Sequence, residues 1–278
     1  MENEFTAVMS ERTEEELKTI LTTERDQYKP EALNAAELEL KKRGIDSSAI
    51  KKEHEELQQE KKKEKIRLIK PNIQRAKIAQ NMIWLVLIIE LVSIYSSYLQ
   101  YDLLKSIQNG KIISDQVANT NDSREMIIGF IYLVIYVISG VTFIQWFRRA
   151  YYNLNNRIKC KHSEGWAAGS WFVPIISLYR PYQIMKEMSI ETTNLLKEKT
   201  NSHVGSKTEL IGWWWALWIA SSWVGNYIMR ISFKAETLEN YINSTLGNIF
   251  LSFLGIPLAI ITVKMIKTYS EKEEQLAE

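Results

Sequence analysis

The sequence has a single cysteine and only three histidines among 278 residues, and its formal net charge is +2. One cysteine excludes an internal disulfide framework. The histidines, His54, His162 and His203, all lie outside the long apolar runs, so they cannot provide axial ligands to a haem buried among those runs. The small net charge gives no electrostatic case for nucleic-acid binding.

Motifs of the common enzyme classes are also missing. No glycine-rich phosphate loop, Cys-x-x-Cys, His-Glu-x-x-His or Gly-x-Ser-x-Gly occurs. Cys160 and His162 lie two residues apart in a basic stretch, where flanking lysines could favour a thiolate or the pair could form half of a metal site. The sequence contains no second pair to complete that site, and a plain free thiol is the simpler interpretation. We therefore expect no enzyme activity, no cofactor and no metal.

Charge is concentrated at the start of the chain. Residues 1–76 hold 33 of the 68 charged residues, and long apolar runs fill much of the remainder. We interpret this contrast as four parts: a cytoplasmic helical hairpin module (1–46), a charged helical linker (47–75), a membrane domain (76–269) and a cytoplasmic tail (270–278).

Helix-capping signals shape the predicted hairpin module. Thr13 and Glu16 have the spacing of a capping box, and Pro30 suits the first position of a second helix. That helix is expected to end at Gly44. A core from two such short helices would be marginally stable alone. We favour a solvated hairpin next to the membrane, and the alternative is a module that docks on a partner or on a second copy.

Four apolar runs, 82–99, 126–147, 210–229 and 246–263, are long enough to cross a bilayer. A hydrocarbon core needs roughly 17–25 helical residues, and a helix satisfies its own backbone there. Buried helices of a soluble core would show a polar stripe, which these runs lack. The predicted fold class is therefore an all-α polytopic membrane protein with four transmembrane helices.

A fifth apolar run, 166–179, is shorter and contains Pro174. Runs of this length are more often re-entrant or interfacial than spanning. Because proline removes a backbone donor and restricts the residue before it, we expect a short half-helix, a break, and a second helix from about Pro181. That second helix is amphipathic and is expected to lie along the membrane surface.

Basic residues set the expected orientation. Eight lie between 61 and 77 and five between 148 and 161, whereas the loop 100–125 holds three. The positive-inside rule then places both termini in the cytoplasm, with the chain in the cell membrane.

Glu90 is the one charged residue inside the four long runs, and it lies at the midpoint of the first. An ionised carboxylate there costs roughly 2.5–3.5 kcal/mol, and no basic residue is found at a matching depth. We expect Glu90 to be protonated, to face the bundle and to donate a hydrogen bond to a serine or a carbonyl. No second carboxylate lies at that depth to relay a proton, so a structural role is favoured over proton transport.

Two motifs flank the loop after the second run: WFRRAYYNL at 146–154 and GWAAGSWFVP at 165–174. The tryptophan-rich WWWALW follows at 213–218, where an interfacial aromatic belt is expected. Over about residues 126–269 the chain resembles the bacterial membrane family catalogued as domain of unknown function 4328. The resemblance implies a membrane location and this architecture, and it implies no reaction.

Arginines and tyrosines in and beside these motifs are the candidate binding residues at the cytoplasmic interface. They are Arg148, Arg149, Tyr151, Tyr152, Arg180 and Tyr182. Planar guanidinium groups beside aromatic rings suit phosphate headgroups or the carboxylates of a partner. The alternative is that they only anchor the chain at the membrane surface.

Two hypotheses of function follow from the sequence. The first is a non-enzymatic membrane protein that binds lipid or a protein partner through these residues. The second is a small transporter or channel, with 166–179 as a re-entrant element and Glu90 as its intramembrane polar site.

Overall fold

The structure is a computed structural model that describes residues 4–200, 205, 208–233 and 237–277. Every regular element in these residues is helical, which confirms the all-α fold class. The chain divides into two compact units, one up to Leu68 and one from Ile69 onward. His203 lies outside the described residues.

The first unit contains four helices. They are α1 (Thr6–Ser10), α2 (Glu14–Leu21), α3 (Pro30–Lys42) and α4 (Ser47–Arg67). The predicted capping box is present, because the Thr13 N–H donates to the Glu16 carboxylate at 2.8 Å and the Glu16 N–H donates to Thr13 Oγ1 at 3.3 Å. Pro30 occupies the first turn of α3, and Gly44 follows that helix with a φ of 77°.

Helix α1 has only five residues and was not predicted from the sequence. It adds Met9 to a core that α2 and α3 share, with Leu17 and Leu40 at its centre. Arg43 ties the end of α1 to the end of α3 by donating to the carbonyls of Arg12 and Ser10, at 2.8 and 2.9 Å. The first unit therefore has a larger core than the predicted two-helix hairpin.

The described residues of the second unit form six α-helices and one short 3-10 helix, Ile176–Leu178. The α-helices are α5 (Ile73–Gln108), α6 (Asp115–Asn155), α7 (Trp166–Gly169), α8 (Arg180–Thr200), α9 (Thr208–Ser232) and α10 (Leu238–Gln275). In the described part of the chain, three of them, α5, α6 and α10, are long and apolar enough to cross a membrane. Helix α9 is long enough to cross a membrane, but its mean hydropathy is too low, because five tryptophans and Asn226 interrupt its aliphatic residues. A count of four spans therefore stays a prediction.

The four long helices pack side by side. Helix α5 packs against both α6 and α10, and α9 also packs against α10. Helices of 36 to 41 residues exceed the roughly 20 that a hydrocarbon core needs. At one end of the bundle the extra turns of α6 and α10 pack against α8. We call this the α8 end.

The expected break near Pro174 is present. The Ile176 N–H donates to the Pro174 carbonyl at 2.7 Å, and Ile175 between them has a φ of 66°. These features define a classic γ-turn, a rare and strained conformation for a β-branched residue. Helix α7 ends before the break and α8 begins after it at Arg180. A re-entrant placement of this segment stays a prediction.

Helix α8 buries its apolar stripe against the bundle. Ile184, Met185 and Met188 are buried in the core of the second unit, together with residues of α6, α9 and α10. The stripe covers a protein surface that the extended ends of α6 and α10 supply, and the expectation that α8 lies along the membrane surface stays a prediction.

Candidate functional site

A cavity of about 610 Å³ lies among the four long helices, and we call it the cleft. Its walls come from α5, α6, α9 and α10, and Trp171 from the short broken segment contributes at one end. Most of its lining is aliphatic or aromatic. A volume between about 300 and 1,000 Å³ with a few polar groups is typical of small-molecule sites.

Among the described residues that line the cleft, only Glu90 is of a charged type, and it is 5% exposed. The hydroxyl groups of Ser252 on α10 and Tyr132 on α6 lie near its carboxyl group. It also lies against the backbone of Gly255, where an added Cβ would be 3.0 Å from Glu90 Oε1. The structure thus shows the expected inward orientation and a serine beside the carboxyl group, and it adds a tyrosine that sequence reasoning did not pair with Glu90.

Trp171 joins α6 to α9 at one end of the cleft. Its ring centroid lies 5.6 Å from that of Phe143 on α6 and 5.7 Å from that of Trp218 on α9. Trp214 is also part of this cluster and is almost fully buried, whereas Trp213 is 67% exposed. The aromatic belt therefore stays a prediction for the exposed Trp213, while its neighbours line the cleft or pack beside it.

The α8 end has a polar core that links three segments. The Asn153 side chain donates to the Lys70 carbonyl at 2.8 Å and to Glu273 Oε1 at 2.6 Å, and it accepts from the Lys70 N–H at 3.0 Å. Asn72 donates to the other oxygen of Glu273 at 3.1 Å. These bonds fix the start of α5 to the ends of α6 and α10.

A second buried contact holds the loop between α6 and α7. Glu187 on α8 accepts from the Tyr151 hydroxyl at 2.9 Å and from the Lys161 N–H at 2.7 Å. Burial and the nearby Glu187 carboxylate raise the pKa of the Cys160 thiol to about 12. Burial, and next the charge of Arg180, lower the pKa of His162. Both groups are therefore neutral near pH 7, and a neutral thiol is a poor nucleophile.

The predicted binding residues do not form one cluster. Tyr151 is fully buried, and the Tyr152 ring instead lies under Lys70 Nζ, 5.5 Å from its centroid. Arg180 lies 2.8 Å from His162 Nδ1, and Tyr182 packs beside Trp215 with ring centroids 6.3 Å apart. Residues adjacent on a helix point about 100° apart, so the motif 146–154 distributes its side chains over several faces.

Arg148 and Arg149 instead lie beside Arg75 of α5. One Arg75 nitrogen donates to the Gln145 carbonyl at 3.2 Å, one turn before the two arginines of α6. The positive charges of Arg148 and Arg149 both act on Arg75. We call these three residues the arginine cluster. In the sequence, Arg75 served only as one of the basic residues that set the expected orientation. Nothing in the local pattern places it beside Arg148 and Arg149, which follow 73 and 74 positions later in the chain.

The described ion pairs leave the arginine cluster without a carboxylate partner within 4.0 Å. Glu273 is near enough to Arg149 for attraction, but its oxygens already accept from Asn72 and Asn153. Arg148 is exposed. The cluster is thus a concentration of positive charge that an external anion can reach.

No group of three histidine, cysteine or acidic side chains in the described part of the chain has the arrangement of a metal site.

The fold defines an all-α protein with helices that can span a membrane, and the comparison with protein families is more specific. The family described as Domain of unknown function (DUF4328) matches residues 109–271, more than half of the chain, and the chain belongs to this family. The match includes α6 to α9 and most of α10, whereas α5, with Glu90 and Arg75, precedes it. No curated protein and no solved structure matches the chain.

Proposed function

We propose that the chain is a non-enzymatic integral membrane protein of the bacterial cytoplasmic membrane that binds anionic lipid headgroups at its cytoplasmic face. In this proposal it crosses the membrane four times, and both termini and the α8 end are cytoplasmic. Segment 166–179 enters from that side and returns. The first unit is then a cytoplasmic module available for self-association or for a protein partner.

The packing of α9 supports a fourth span. Its close approaches to α10 follow one antiparallel register: Ser232 lies beside Ser244, Ile228 beside Gly247, and Gly225 beside Leu251. Helix α9 therefore runs along the apolar part of α10. Because α10 can span a membrane, a helix packed along it in this way lies in the same layer.

The arginine cluster is the observation that carries the lipid-binding proposal. Three like charges held together cost electrostatic energy, which a phosphate between them would offset. Guanidinium groups can bind a phosphate through two parallel hydrogen bonds. The cluster lies at the start of α5 and near the end of α6, where the positive-inside rule places the cytoplasmic leaflet. An anionic phospholipid from that leaflet fits this site.

Lipid retention tests the proposal. The full chain is purified in mild detergent from membranes of mixed phosphatidylglycerol and phosphatidylethanolamine, and bound lipids are counted by native mass spectrometry. A hydrogen bond between charged groups contributes about 1.5–3 kcal/mol. We therefore expect Arg75→Gln and Arg148→Gln each to weaken phosphatidylglycerol binding at least about tenfold.

Lys77→Gln is the matched control, since Lys77 is exposed on the same turn of α5 as Arg75. It should leave phosphatidylglycerol retention nearly unchanged. Equal losses from all three substitutions would mean that diffuse charge attracts the lipid, and the arginine cluster would then not be a site.

Transport is the second candidate function, and the cleft around Glu90 favours it. Binding sites inside membrane transporters commonly combine a polar group at depth with a broken helical segment, as Glu90 and Trp171 do here. Proteoliposome flux that is lost in Glu90→Gln, with insertion and assembly unchanged, would make transport the leading proposal.

A further inference from the structure

We propose that the cleft binds a lipophilic organic cation, a molecule whose positive charge is enclosed by apolar groups, and that Glu90 is its counter-ion. This site is separate from the arginine cluster, and it requires a ligand of the opposite charge.

Charge is the first argument. The side chains that interact with Glu90 are uncharged: Tyr132 and Tyr136 on α6 and Ser252 on α10. The polar side chains that α9 adds to the lining, Ser221, Ser222 and Asn226, are uncharged as well. No lysine, arginine or histidine belongs to the described lining. A buried carboxylate without a cation is costly, so the empty cleft favours protonated Glu90. A cationic ligand supplies the missing opposite charge.

Aromatic rings are the second argument. Tyr132 and Tyr136 stack on each other beside Glu90, with centroids 5.8 Å apart. Phe143, Trp171 and Trp218 also contribute to the lining. The face of an aromatic ring attracts cations, and the attraction is strongest for tryptophan and in desolvated sites. The same faces repel an anion.

Size and lining restrict the ligand further. A cavity of about 610 Å³ is far larger than a metal ion needs, and its mostly apolar wall offers too few oxygen ligands for one. An inorganic cation would lose most of its hydration without replacement. A quaternary or delocalised organic cation is weakly hydrated and has apolar surface to bury.

Binding exchanges one proton for one cation. The O–H bond of the Glu90 carboxyl group breaks, its proton passes to bulk water, and the carboxylate pairs with the ligand. The net charge of the cleft stays at zero. Because ligand and proton compete for Glu90, the dissociation constant should fall as pH rises, by up to about tenfold per pH unit while the empty site is protonated.

Two ions of equal shape and opposite charge test the proposal. The full chain in nonionic detergent is dialysed against tetraphenylphosphonium or tetraphenylborate at several pH values, with detergent alone as the blank. We expect saturable binding of one phosphonium per chain, tightening as pH rises, and no saturable binding of the borate. Equal binding of both ions, or saturable binding of neither, would overturn the proposal.

Two variants locate the site. Glu90→Gln should weaken phosphonium binding at least tenfold and remove its pH dependence, whereas Glu209→Gln, an exposed carboxylate at the start of α9, should change neither. Gly255→Ala keeps the charge but places a Cβ 3.0 Å from Glu90 Oε1, so it should also weaken binding. Gly129→Ala, whose Cβ would meet no atom within 4 Å, is its control.

Unchanged phosphonium affinity in both Glu90→Gln and Gly255→Ala would refute the role of Glu90. The result is independent of the lipid proposal, because Arg75→Gln and Arg148→Gln should leave phosphonium binding intact. An unmodified chain that binds phosphonium but retains no phosphatidylglycerol would refute only the lipid proposal. One that retains the lipid but binds no phosphonium would refute only the cation proposal.

Discussion

The α8 end and the cleft of the second unit both contain buried polar side chains, but the hydrogen bonding of those side chains differs. At the α8 end, Asn153 and Glu273 make hydrogen bonds of 2.6 to 3.1 Å with groups from three segments. In the cleft, the buried Ser221 Oγ has no hydrogen-bond partner among the described residues. Glu90 there faces hydroxyl groups and an open volume.

This difference distinguishes polar groups that hold the helices together from polar groups that could bind a ligand. Most buried polar groups in native proteins have a partner, so those without one need an explanation, and an adjacent cavity provides it. At the α8 end the protein itself supplies the partners of Asn153 and Glu273, although the buried Asn72 Oδ1 has none among the described residues. Such a network favours one arrangement of the helices. Polar groups around an empty volume are available to a ligand. Stability measurements can test this separation, because the two regions should respond differently to the loss of a side chain.

The largest expected loss is at the α8 end. Asn153→Ala removes the partner of the Lys70 backbone N–H and a donor to Glu273, and both of these hydrogen bonds are partly buried. Leaving a buried polar or charged group unsatisfied costs about 1–3 kcal/mol for each group. We expect the free energy of unfolding to fall by about 3 kcal/mol, measured by denaturant titration in detergent micelles with tryptophan fluorescence.

Asn155→Ala is the control for this substitution. Asn155 lies on the same helix and donates only to the Tyr151 carbonyl one turn earlier, at 3.1 Å. Its loss should be under about 1 kcal/mol. If the two alanine variants were equally stable, the polar core of the α8 end would not hold the helices together.

An intermediate loss is expected for Tyr151→Phe. The substitution keeps the buried ring but removes the hydroxyl that donates to Glu187 and accepts from the His162 N–H at 3.1 Å. Hydrogen bonds to charged groups contribute about 1.5–3 kcal/mol, so we expect a loss near 2 kcal/mol in the same titration.

Tyr152→Phe provides the comparison for that result. Tyr152 is only partly buried, and its described contact is through the ring face below Lys70, which phenylalanine retains. A change below about 0.5 kcal/mol is expected. A larger loss in Tyr152→Phe than in Tyr151→Phe would contradict the role given to Glu187.

Sequence reasoning predicted features that depend on neighbours along the chain. The capping box of Thr13 and Glu16, the break at Pro174 and the inward position of Glu90 all follow from local spacing or from the cost of burying charge. Arg75 could not be assigned to the arginine cluster, because its neighbours depend on how α5 packs against α6. The cleft was also out of reach, since its volume depends on where four helices leave a gap and Trp171 fills only one end.

Tertiary packing also explains the expectations that were too simple. Tyr151 and Arg148 belong to one short motif, yet one is fully buried and the other is exposed. They are three residues apart on α6, but Tyr151 is covered by α8 and by the loop after α6, where it contacts Glu187 and His162. The tryptophans of α9 divide in the same way. A sequence identifies such residues as amphipathic anchors, but only the partner helix decides which of them become core.

The smallest change is expected in the cleft, where Ser221→Ala removes a hydroxyl that has no partner in the described structure. Nothing else loses a hydrogen bond, and a buried unsatisfied polar atom is removed. The free energy of unfolding should stay the same or rise by up to about 1 kcal/mol.

Its neighbour Ser222 is the matched control, since that hydroxyl donates to the Trp218 carbonyl at 2.8 Å, and Ser222→Ala should lose about 0.5–1 kcal/mol. Both serines line the cleft on adjacent positions of α9, so the pair isolates the effect of hydrogen-bond satisfaction. A loss in Ser221→Ala as large as that of Asn153→Ala would mean that the hydroxyl is already engaged in the folded protein, and the cleft would then be part of the structural polar core.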